Sequence, residues 1–407
     1  MRSPVRLSIV LLAVALPMLL ERAVSGAEPA PEVAVYYFPG YHPTPRNDAR
    51  LGKGWTEWNL VKAARSRFPG HSQPKVPLWG YEDESDPAAM AKKIDAAADH
   101  GIAAFIFDWY WHEEGPFLDG ALQKGFLKAK NRDRLKFSIM WANHDWIDIF
   151  PARAGVPSKL LYAGAVRRET FDKATDHVIR NYFSQGNYWR VEGKPYFSIY
   201  ELMTLVKGLG GMEKAREALD GFRARAKAAG LPGIHLNAVV WGVQPAGLAA
   251  SANEMVASLG IDSVTSYCWI HHLGPPSFPS TSYAEWANGS VDLWPRFRRE
   301  WRVPYFPNVS MGWDSSPRTT QADEFRNVGY PYTPVLVRNT PLEFKGALRK
   351  ARAFLETQDL GARILTINAW NEWTEGSYLE PDTATGLEYL EAIREVFGKK
   401  QGVGRKE

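Results

Sequence analysis

The chain has 407 residues, of which 45% are hydrophobic, and a net charge of +4 from 49 Lys and Arg against 45 Asp and Glu. This composition is typical of a globular chain with room for one barrel-sized domain or two smaller ones. Its basic residues are too scattered to form a nucleic-acid groove. The single cysteine, Cys268, excludes an internal disulfide, so the core must hold the fold, and we expect Cys268 to be a buried small hydrophobe.

The amino terminus has the pattern of an export signal. Arg2 and Arg6 form a positive region before an apolar run over residues 7–20, and the small residues Ser25 and Ala27 suit a cleavage site. The apolar run is about 14 residues long, shorter than the roughly 20 that a bilayer-spanning helix needs. We therefore predict a signal peptide over residues 1–27, a secreted or periplasmic protein, and no stable membrane insertion after cleavage. A retained anchor is the alternative.

Strand-like and helix-like segments alternate along the rest of the chain. The predicted strands cover residues 33–37, 103–109, 137–142, 196–200, 236–241, 263–269, 305–310 and 364–370. The predicted helices cover residues 87–100, 117–131, 170–184, 212–229, 341–357 and 386–397. Such alternation indicates a parallel sheet covered by helices, and eight units indicate an α/β fold of the (β/α)8 barrel type. No composition break marks a second domain, so residues 28–407 are predicted to be one catalytic domain; the pattern is weakest between the fifth and sixth strands.

Aromatic, acidic and amide residues concentrate where these strands end, which is the catalytic face of a (β/α)8 barrel. Sugars stack their C–H faces on aromatic rings, and their hydroxyls need donors and acceptors. The candidate glycan contacts are Tyr36, Tyr37, Asp108, Trp109, Tyr110, Trp141, Asn143, His144, Trp241, Tyr267 and Trp313. Any one ring could merely fill the barrel, but their clustering at successive strand ends favours a glycan site.

The long loop after the first strand carries two further candidates, Trp55 and Glu57. In one interpretation the loop folds over the barrel mouth and presents these residues to the glycan. In the other, the indoles of Trp55 and Trp58 pin the loop to the barrel rim, where Glu57 caps or pairs. Both interpretations stay open on the sequence alone.

Two carboxylates, Glu372 and Glu375, directly follow the eighth predicted strand. An acid and a base beside aromatic surface are what glycoside hydrolysis needs. Two carboxylates this close repel, which favours one protonated and one ionised group, but their spacing does not assign the roles. A Glu-x-x-Glu pattern is usually a solvated helix face; here the position after a barrel strand, beside Trp370 and Trp373, favours a catalytic pair.

No pattern indicates a metal or a cofactor. The nine histidines lack ligand spacing, and the adjacent pair His271 and His272 points in different directions in regular structure. The glycine-rich stretch at residues 208–211 lacks the lysine of a phosphate loop. We predict a glycan as the partner, no nucleic acid, and a monomer.

The segment at residues 368–382, from Asn368-Ala369-Trp370 to Glu380-Pro381-Asp382, resembles the carboxy-terminal signature of glycoside hydrolase family 99-like proteins, including the WbsX-type polysaccharide-locus group. Residues 52–59, 68–74, 140–143 and 193–195 also match that group. The resemblance extends from residue 33 to residue 392. It implies a (β/α)8 fold and, for the endo-α-mannosidase branch, retaining hydrolysis without a metal through a 1,2-anhydro sugar.

The resemblance also implies roles for single residues. Glu372 is the expected base that deprotonates the sugar 2-hydroxyl, and Glu375 is the expected acid/base. Three further residues are implied as support: Asn371 and Glu380 to orient the pair or bind hydroxyls, and Trp373 as a platform wall.

The chain departs from the group at Gly40, Asp108 and His144, so the identity of the glycan does not transfer. Two alternatives remain open: a WbsX-type glycosyltransferase of polysaccharide assembly, and a carbohydrate-binding protein without turnover.

Overall fold

The computed structural model describes residues 30–242, 251–357 and 361–398. The predicted signal peptide over residues 1–27 lies outside this part of the chain and stays a prediction. Among the described residues, no helix has the length and apolar character to cross a bilayer.

Eight parallel strands form the barrel, which confirms the predicted fold class. They are Glu32–Tyr37, Ile102–His112, Lys136–Trp141, Lys194–Ile199, His235–Val239, Ser263–Thr265, a seventh strand in two segments (Tyr305–Phe306 and Asn308–Ser310), and Ile364–Asn368. Each strand pairs in parallel with the next, and the first also pairs with the eighth. The strands are almost wholly buried, as expected when helices cover the outside of a parallel sheet.

The seventh strand differs from the single strand predicted over residues 305–310. Its first segment pairs with the sixth strand, with Tyr305 opposite Val264, and its second pairs with the eighth, with Asn308 opposite Thr366. Pro307 lies between the segments and has no N–H to donate to a ladder. The ring of strands is therefore nearly closed, with its interruption at Pro307.

Four predicted helices agree with the structure to within about two residues: Pro87–Asp99, Met212–Ala228, Pro341–Glu356 and Glu388–Phe397. A fifth, Arg168–Val178, continues as a π-helix over Ile179–Phe183. Side-chain caps start two of them, because Asp86 accepts a hydrogen bond from the Ala88 N–H and Thr340 accepts one from the Glu343 N–H. The remaining helices are Pro45–Leu51, Trp58–Ala63, Leu202–Leu209, Ala252–Ser258, Tyr283–Val291 and Trp294–Glu300.

The helix predicted over residues 117–131 is wrong. The strand Gly115–Phe117 pairs antiparallel with the second barrel strand, and only a π-turn, Ala121–Gly125, and a 3-10 turn, Phe126–Lys128, follow. Leu118 takes a positive φ of 53°, a conformation that a right-handed helix excludes. The amphipathic pattern there reflects burial of an irregular segment.

Several loops contain short strands and 3-10 turns. Paired short strands are Trp146–Ile147 with Leu160–Tyr162, Arg190–Val191 with the fourth barrel strand, Ser280–Ser282 with Val335–Val337, and Asn371–Glu372 with Ser377–Tyr378. The 3-10 turns are Arg132–Arg134, Val240–Gly242, Trp269–His271, Ser316–Arg318 and Trp373–Glu375. Cys268 is buried just beyond the sixth strand, as expected.

Candidate active site

A cavity of about 550 Å³ lies where the barrel strands end. Its size is within the usual range of small-molecule sites. Aromatic and polar side chains form its wall, among them Phe38, Asp108, Tyr110, His144, Trp146, Phe150, Tyr200, Lys207, Trp241, Tyr267, His271, Trp313, Arg318, Tyr330, Glu372 and Glu375. The cavity therefore combines ring faces with acids, as the sequence predicted for this end of the barrel.

Two short elements hold the Glu372 and Glu375 side chains at the cavity. Glu372 ends the strand Asn371–Glu372, which pairs with Ser377–Tyr378. Glu375 closes the 3-10 turn that follows, and Gly376 ends that turn with a φ of 63°. A Cβ on Gly376 would come within 2.9 Å of the Asp314 backbone nitrogen, so the turn requires a glycine there.

Arg318 stands among the acids. Its Nη2 lies 3.3 Å from Glu57 Oε2 and 3.4 Å from Glu372 Oε2, and its Nε lies 3.9 Å from Glu375 Oε1. The Arg318 side chain is 6% exposed. One buried guanidinium thus faces three carboxyl groups. We call Glu57, Asp108, Glu372 and Glu375, with Arg318, the carboxyl cluster.

The two glutamates of the pair have different surroundings. Glu372 is buried, and burial together with the neighbouring Glu375 raises its pKa well above the usual value, although Arg318 opposes this rise. Glu375 is more open to solvent, and the Tyr330 hydroxyl donates a hydrogen bond to its Oε1 at 2.6 Å. Burial therefore opposes ionisation of Glu372, the residue that the family resemblance implies as the base.

The structure agrees with the second interpretation of the first loop, in which the loop is pinned to the barrel rim and Glu57 pairs there. Glu57 is buried, and its Oε2 accepts a hydrogen bond from Thr374 Oγ1 at 2.5 Å. It lies behind Arg318 and outside the cavity wall. Burial raises the pKa of Glu57. Trp55 packs edge-on against Phe150, with ring centroids 5.6 Å apart, and supports the wall from behind.

Eight of the predicted site residues line the cavity together: Asp108, Tyr110, His144, Trp241, Tyr267, Trp313, Glu372 and Glu375. The structure places the other predicted residues outside the cavity wall, so the prediction that they contact a glycan is wrong. Tyr36 is buried within the barrel and packs on Tyr267, with ring centroids 4.7 Å apart. Tyr37 is the next residue along the strand, so it faces the helices, where its hydroxyl donates to Glu84 at 2.9 Å.

Trp109 and Trp141 also face the helical layer. Trp109 packs on the ring of Trp111 and Trp141 stacks on Phe171, with centroids 5.3 and 5.9 Å apart. Asn143 uses its amide to bridge the N–H and C=O of Glu201, at 2.8 Å each. These side chains support the cavity wall and do not form it.

The three supporting residues implied beside the catalytic pair are structural. Asn371 accepts from the Phe38 N–H and donates to the Phe38 carbonyl, at 2.8 and 2.6 Å, which fixes the start of the catalytic segment. Trp373 is fully buried and stacked on Tyr378, with centroids 3.7 Å apart, so it cannot be a sugar platform. Glu380 accepts from Trp373 Nε1 at 2.9 Å.

Glu380 belongs to a second group of charges, which we call the buried ion cluster: Glu84, Lys93 and Glu380. Lys93 Nζ lies 2.8 Å from Glu84 Oε1 and 2.9 Å from Glu380 Oε1, and all three side chains are at most 2% exposed. Glu84 Oε1 also accepts from Asn371 Nδ2 at 2.7 Å. The cluster therefore ties the helix Pro87–Asp99 to the catalytic segment on both sides of Glu372.

Sequence reasoning missed Arg318 and Tyr330. Both come from the loop after the seventh strand, 50 and 38 residues before the eighth-strand motif begins at Asn368. A single arginine in a polar loop carries no local signal for its three acidic neighbours, which come from two other loops. Tyr330 is 43% exposed overall, although its hydroxyl points to Glu375.

In the described ranges, no group of three or more His, Cys, Asp and Glu side chains is arranged to hold a metal ion. Burial lowers the pKa of His271 to about 3 and that of His272 to about 4, so both rings are neutral near pH 7. His271 stacks on Trp241, with centroids 4.7 Å apart, as part of the cavity wall.

Solved structures that align with this chain include a glycoside hydrolase and a protein described as similar to one. The GH99 endo-alpha-mannosidase from Bacteroides thetaiotaomicron aligns with a TM-score of 0.54 and 16% identity, over 90% of this chain and 96% of that one. A structure described as a glycoside hydrolase-like protein aligns with a TM-score of 0.58 and 14% identity, over 95% and 98% of the two chains. At these identities the likeness establishes the shared fold, a (β/α)8 barrel of the kind found in glycoside hydrolases.

The family model described as "Glycosyltransferase WbsX" matches residues 33–393, so this chain belongs to that family, as its motifs predicted. Two relatives from strains of Xanthomonas campestris pv. campestris, both called "Uncharacterized protein WxcX", are 28% identical over 389 and 381 residues. These alignments cover 94% and 92% of this chain but 52% and 50% of the relatives. The chain thus spans about half the length of the curated relatives it matches.

Proposed function

We propose that this chain is a glycoside hydrolase that cleaves an α-linked glycan, with Glu372 and Glu375 as its acid–base pair. The observation that carries the proposal is that both carboxyl groups line one open cavity and both lie within 4 Å of the same buried arginine, Arg318. A general acid and a general base must reach the same substrate to act in one reaction.

The wall of the cavity supports a sugar as the substrate. Trp241, Trp313 and Tyr110 offer ring faces, and Trp241 is 36% exposed, so its indole is open to a ligand. His144 and Lys207 offer polar groups on the same wall. We propose a mannan-like glycan or a bacterial polysaccharide as the substrate class, which the fold shared with an endo-alpha-mannosidase supports.

In the proposed reaction Glu372 takes the proton of the sugar 2-hydroxyl, and that oxygen attacks the anomeric carbon. Glu375 gives its proton to the leaving oxygen. Water, deprotonated by Glu375, then opens the resulting 1,2-anhydro sugar, and Glu372 returns its proton to the 2-oxygen, so the anomeric configuration is retained. The raised pKa of Glu372 makes it a stronger base once ionised, and Arg318 favours that ionised form.

The predicted signal peptide adds a location to this proposal. An exported hydrolase would meet its glycan outside the cytoplasm, in the periplasm or the medium. Expression of the full chain in a bacterial host, with amino-terminal sequencing of the exported product, tests cleavage near residue 27. Recovery of the protein in membranes with its amino terminus intact would instead identify a retained anchor.

A glycosyltransferase is the second candidate, because the matching family model carries that description. Such an enzyme would also need a glycan site, but it would transfer the sugar from an activated donor. Dependence of product formation on an added nucleotide-sugar separates this candidate from hydrolysis.

The deciding experiment incubates the purified chain with mannans, xylans and bacterial polysaccharides and follows released oligosaccharides by mass spectrometry. We expect release from at least one α-linked glycan without any nucleotide-sugar, and no release by Glu375→Gln. Proton NMR of the first product should show the retained anomer. Binding of glycans with no release by the unmodified chain would instead identify a lectin-like protein and contradict the proposal.

A further inference from the structure

Tyr267 joins two acids of the carboxyl cluster through one hydroxyl group. Its oxygen lies 2.8 Å from Asp108 Oδ2 and 3.2 Å from Glu372 Oε1. All three side chains are buried, with exposures of 4–6%, and both acids line the cavity. Asp108 therefore places a further carboxyl group beside the proposed base, Glu372.

A phenol has one proton to donate, whereas two ionised carboxylates at this spot would both require a donor. Glu372 has Arg318 at 3.4 Å to balance its charge. Asp108 forms no ion pair with a basic side chain in the described part of the chain, and its Oδ1 is buried without a hydrogen-bond partner. An uncompensated buried carboxylate is costly and takes up a proton instead.

The charges around the two acids point the same way. The titratable groups that act on Asp108 or Glu372 are Tyr36, Tyr41, Glu57, Tyr110, Tyr200, Tyr267, Cys268, Arg318, Tyr330 and Glu375. Apart from Arg318, each of these is a carboxylic acid, a phenol or a thiol. Burial raises the pKa of Asp108 well above its usual value, and Glu375 adds to the rise.

We propose that Asp108 is a positioning residue that holds a proton, so that Glu372 stays ionised and can act as the base. In this arrangement Asp108 Oδ2 carries the proton and donates it to the Tyr267 oxygen, and Tyr267 donates its own proton to Glu372 Oε1. The three groups then hold two protons and one negative charge, which rests on Glu372 between Tyr267 and Arg318. Because the first bond polarises the second, the chain of hydrogen bonds stabilises the ionised base.

This arrangement reconciles the burial of Glu372 with its proposed role as a base. The proton that burial forces onto the cluster is held on Asp108, where no cation opposes it. The catalytic consequence rests on the proposed function, whereas the location of the proton does not. The two parts can therefore be tested separately.

Infrared difference spectroscopy of the full chain near pH 7 tests the location of the proton without a substrate. The spectrum of the unmodified protein minus that of Asp108→Asn should show one protonated-carboxyl band, because the variant lacks that group. The same band should shift in Tyr267→Phe, which removes its hydrogen-bond acceptor. Loss of an ionised-carboxylate band in Asp108→Asn would overturn the inference, whatever the activity measurements show.

Kinetics on the glycan identified above tests the consequence for the base. Asparagine resembles a neutral carboxylic acid, since its amide can donate to the Tyr267 oxygen, whereas leucine fills the space without a donor. We expect kcat to fall about threefold in Asp108→Asn and about thirtyfold in Asp108→Leu, with KM nearly unchanged in both. Equal losses in the two variants would show that the charge or the volume of Asp108 matters, and not its proton, and would contradict the inference.

Discussion

The carboxyl cluster and the buried ion cluster both draw on residues 371–380, yet they are built differently. In the buried ion cluster, Lys93 contacts both acids at 2.8–2.9 Å, and Tyr37 and Asn371 also donate to Glu84 Oε1. In the carboxyl cluster, the guanidinium of Arg318 stands 3.3–3.9 Å from three acids, and the fourth, Asp108, forms no ion pair with a basic side chain among the described residues.

Within this one segment of ten residues, the buried ion cluster therefore fixes the backbone, whereas the carboxyl cluster supplies the reactive groups. Close, well-donated ion pairs fix a backbone, because breaking them leaves a buried charge. Buried acids with few cations nearby hold their protons more tightly than usual, because burial and mutual repulsion raise their pKa values. The segment therefore has a rigid inner side at Asn371, Trp373 and Glu380, and an outer side at Glu372 and Glu375 that faces the cavity.

The largest expected effect on stability comes from Lys93→Met. Removal of the cation leaves Glu84 and Glu380 buried without a partner, so we expect unfolding free energy to fall by about 3–5 kcal/mol in urea titrations at pH 7. Lys92→Met is the matched control one residue away, since the Lys92 side chain in its pair with Glu82 is 44% exposed. Its loss should cost at most about 1 kcal/mol. Equal losses in the two variants would remove the contrast between the clusters.

Substitution of Glu372 or Glu375 should instead lower turnover and leave stability nearly unchanged. We expect Glu372→Gln and Glu375→Gln each to lower kcat by at least about a hundredfold, the usual cost of losing a general acid or base, with the thermal midpoint nearly unchanged. Glu356→Gln, on the exposed end of the helix Pro341–Glu356, serves as the control with normal turnover. Near-normal turnover in either cavity variant would contradict the assignment of the pair.

His42 belongs to neither cluster, and its titration makes the folding stability depend on pH. Burial lowers the pKa of His42 to about 4, so between about pH 6.5 and 4 the unfolded chain binds a proton that the folded chain does not. His42 alone therefore contributes a loss of stability of about 2 kcal/mol as the pH falls from 7 to 5. In His42→Gln, whose side-chain oxygen can accept the Gly120 N–H, that loss should be absent. An equally steep loss in the variant would show that His42 does not contribute.

The smallest of these effects concerns the pH profile in Arg318→Met. Burial raises the pKa of Glu372, and Arg318 opposes the rise, so loss of the guanidinium should move the acid limb of kcat/KM upward by about one pH unit. Arg318→Lys keeps the charge and should move the limb less. An acid limb unchanged in Arg318→Met would mean that the titrating base is not beside this arginine.

Much of this fold could be predicted from the sequence, because buried parallel strands leave continuous apolar runs. All eight barrel strands coincide with such runs. The helix predicted over residues 117–131 failed because this segment packs tightly against the first loop: a Cβ on Gly125 would lie 2.1 Å from the Glu84 carbonyl oxygen, and Leu118 takes a positive φ. Hydrophobic periodicity does not register such contacts.

The candidate site was predictable as a region but not residue by residue. Strand ends locate the catalytic face, which is why Asp108, Tyr267 and Glu372 could be named. The facing of a side chain at a strand end depends on register, so Tyr37, Trp109 and Trp141 turned to the helices. Arg318 depends on where a distant loop folds, which no local pattern encodes.

Pro307 gives the barrel a point at which it can open. On either side of this residue the sheet is held by very short ladders, whereas the second strand pairs over most of its length with both neighbours. Amide protons of Phe306 and Val309 should therefore exchange with deuterium sooner than those of Ile106 and Ile139, through local opening that leaves the rest of the ring intact.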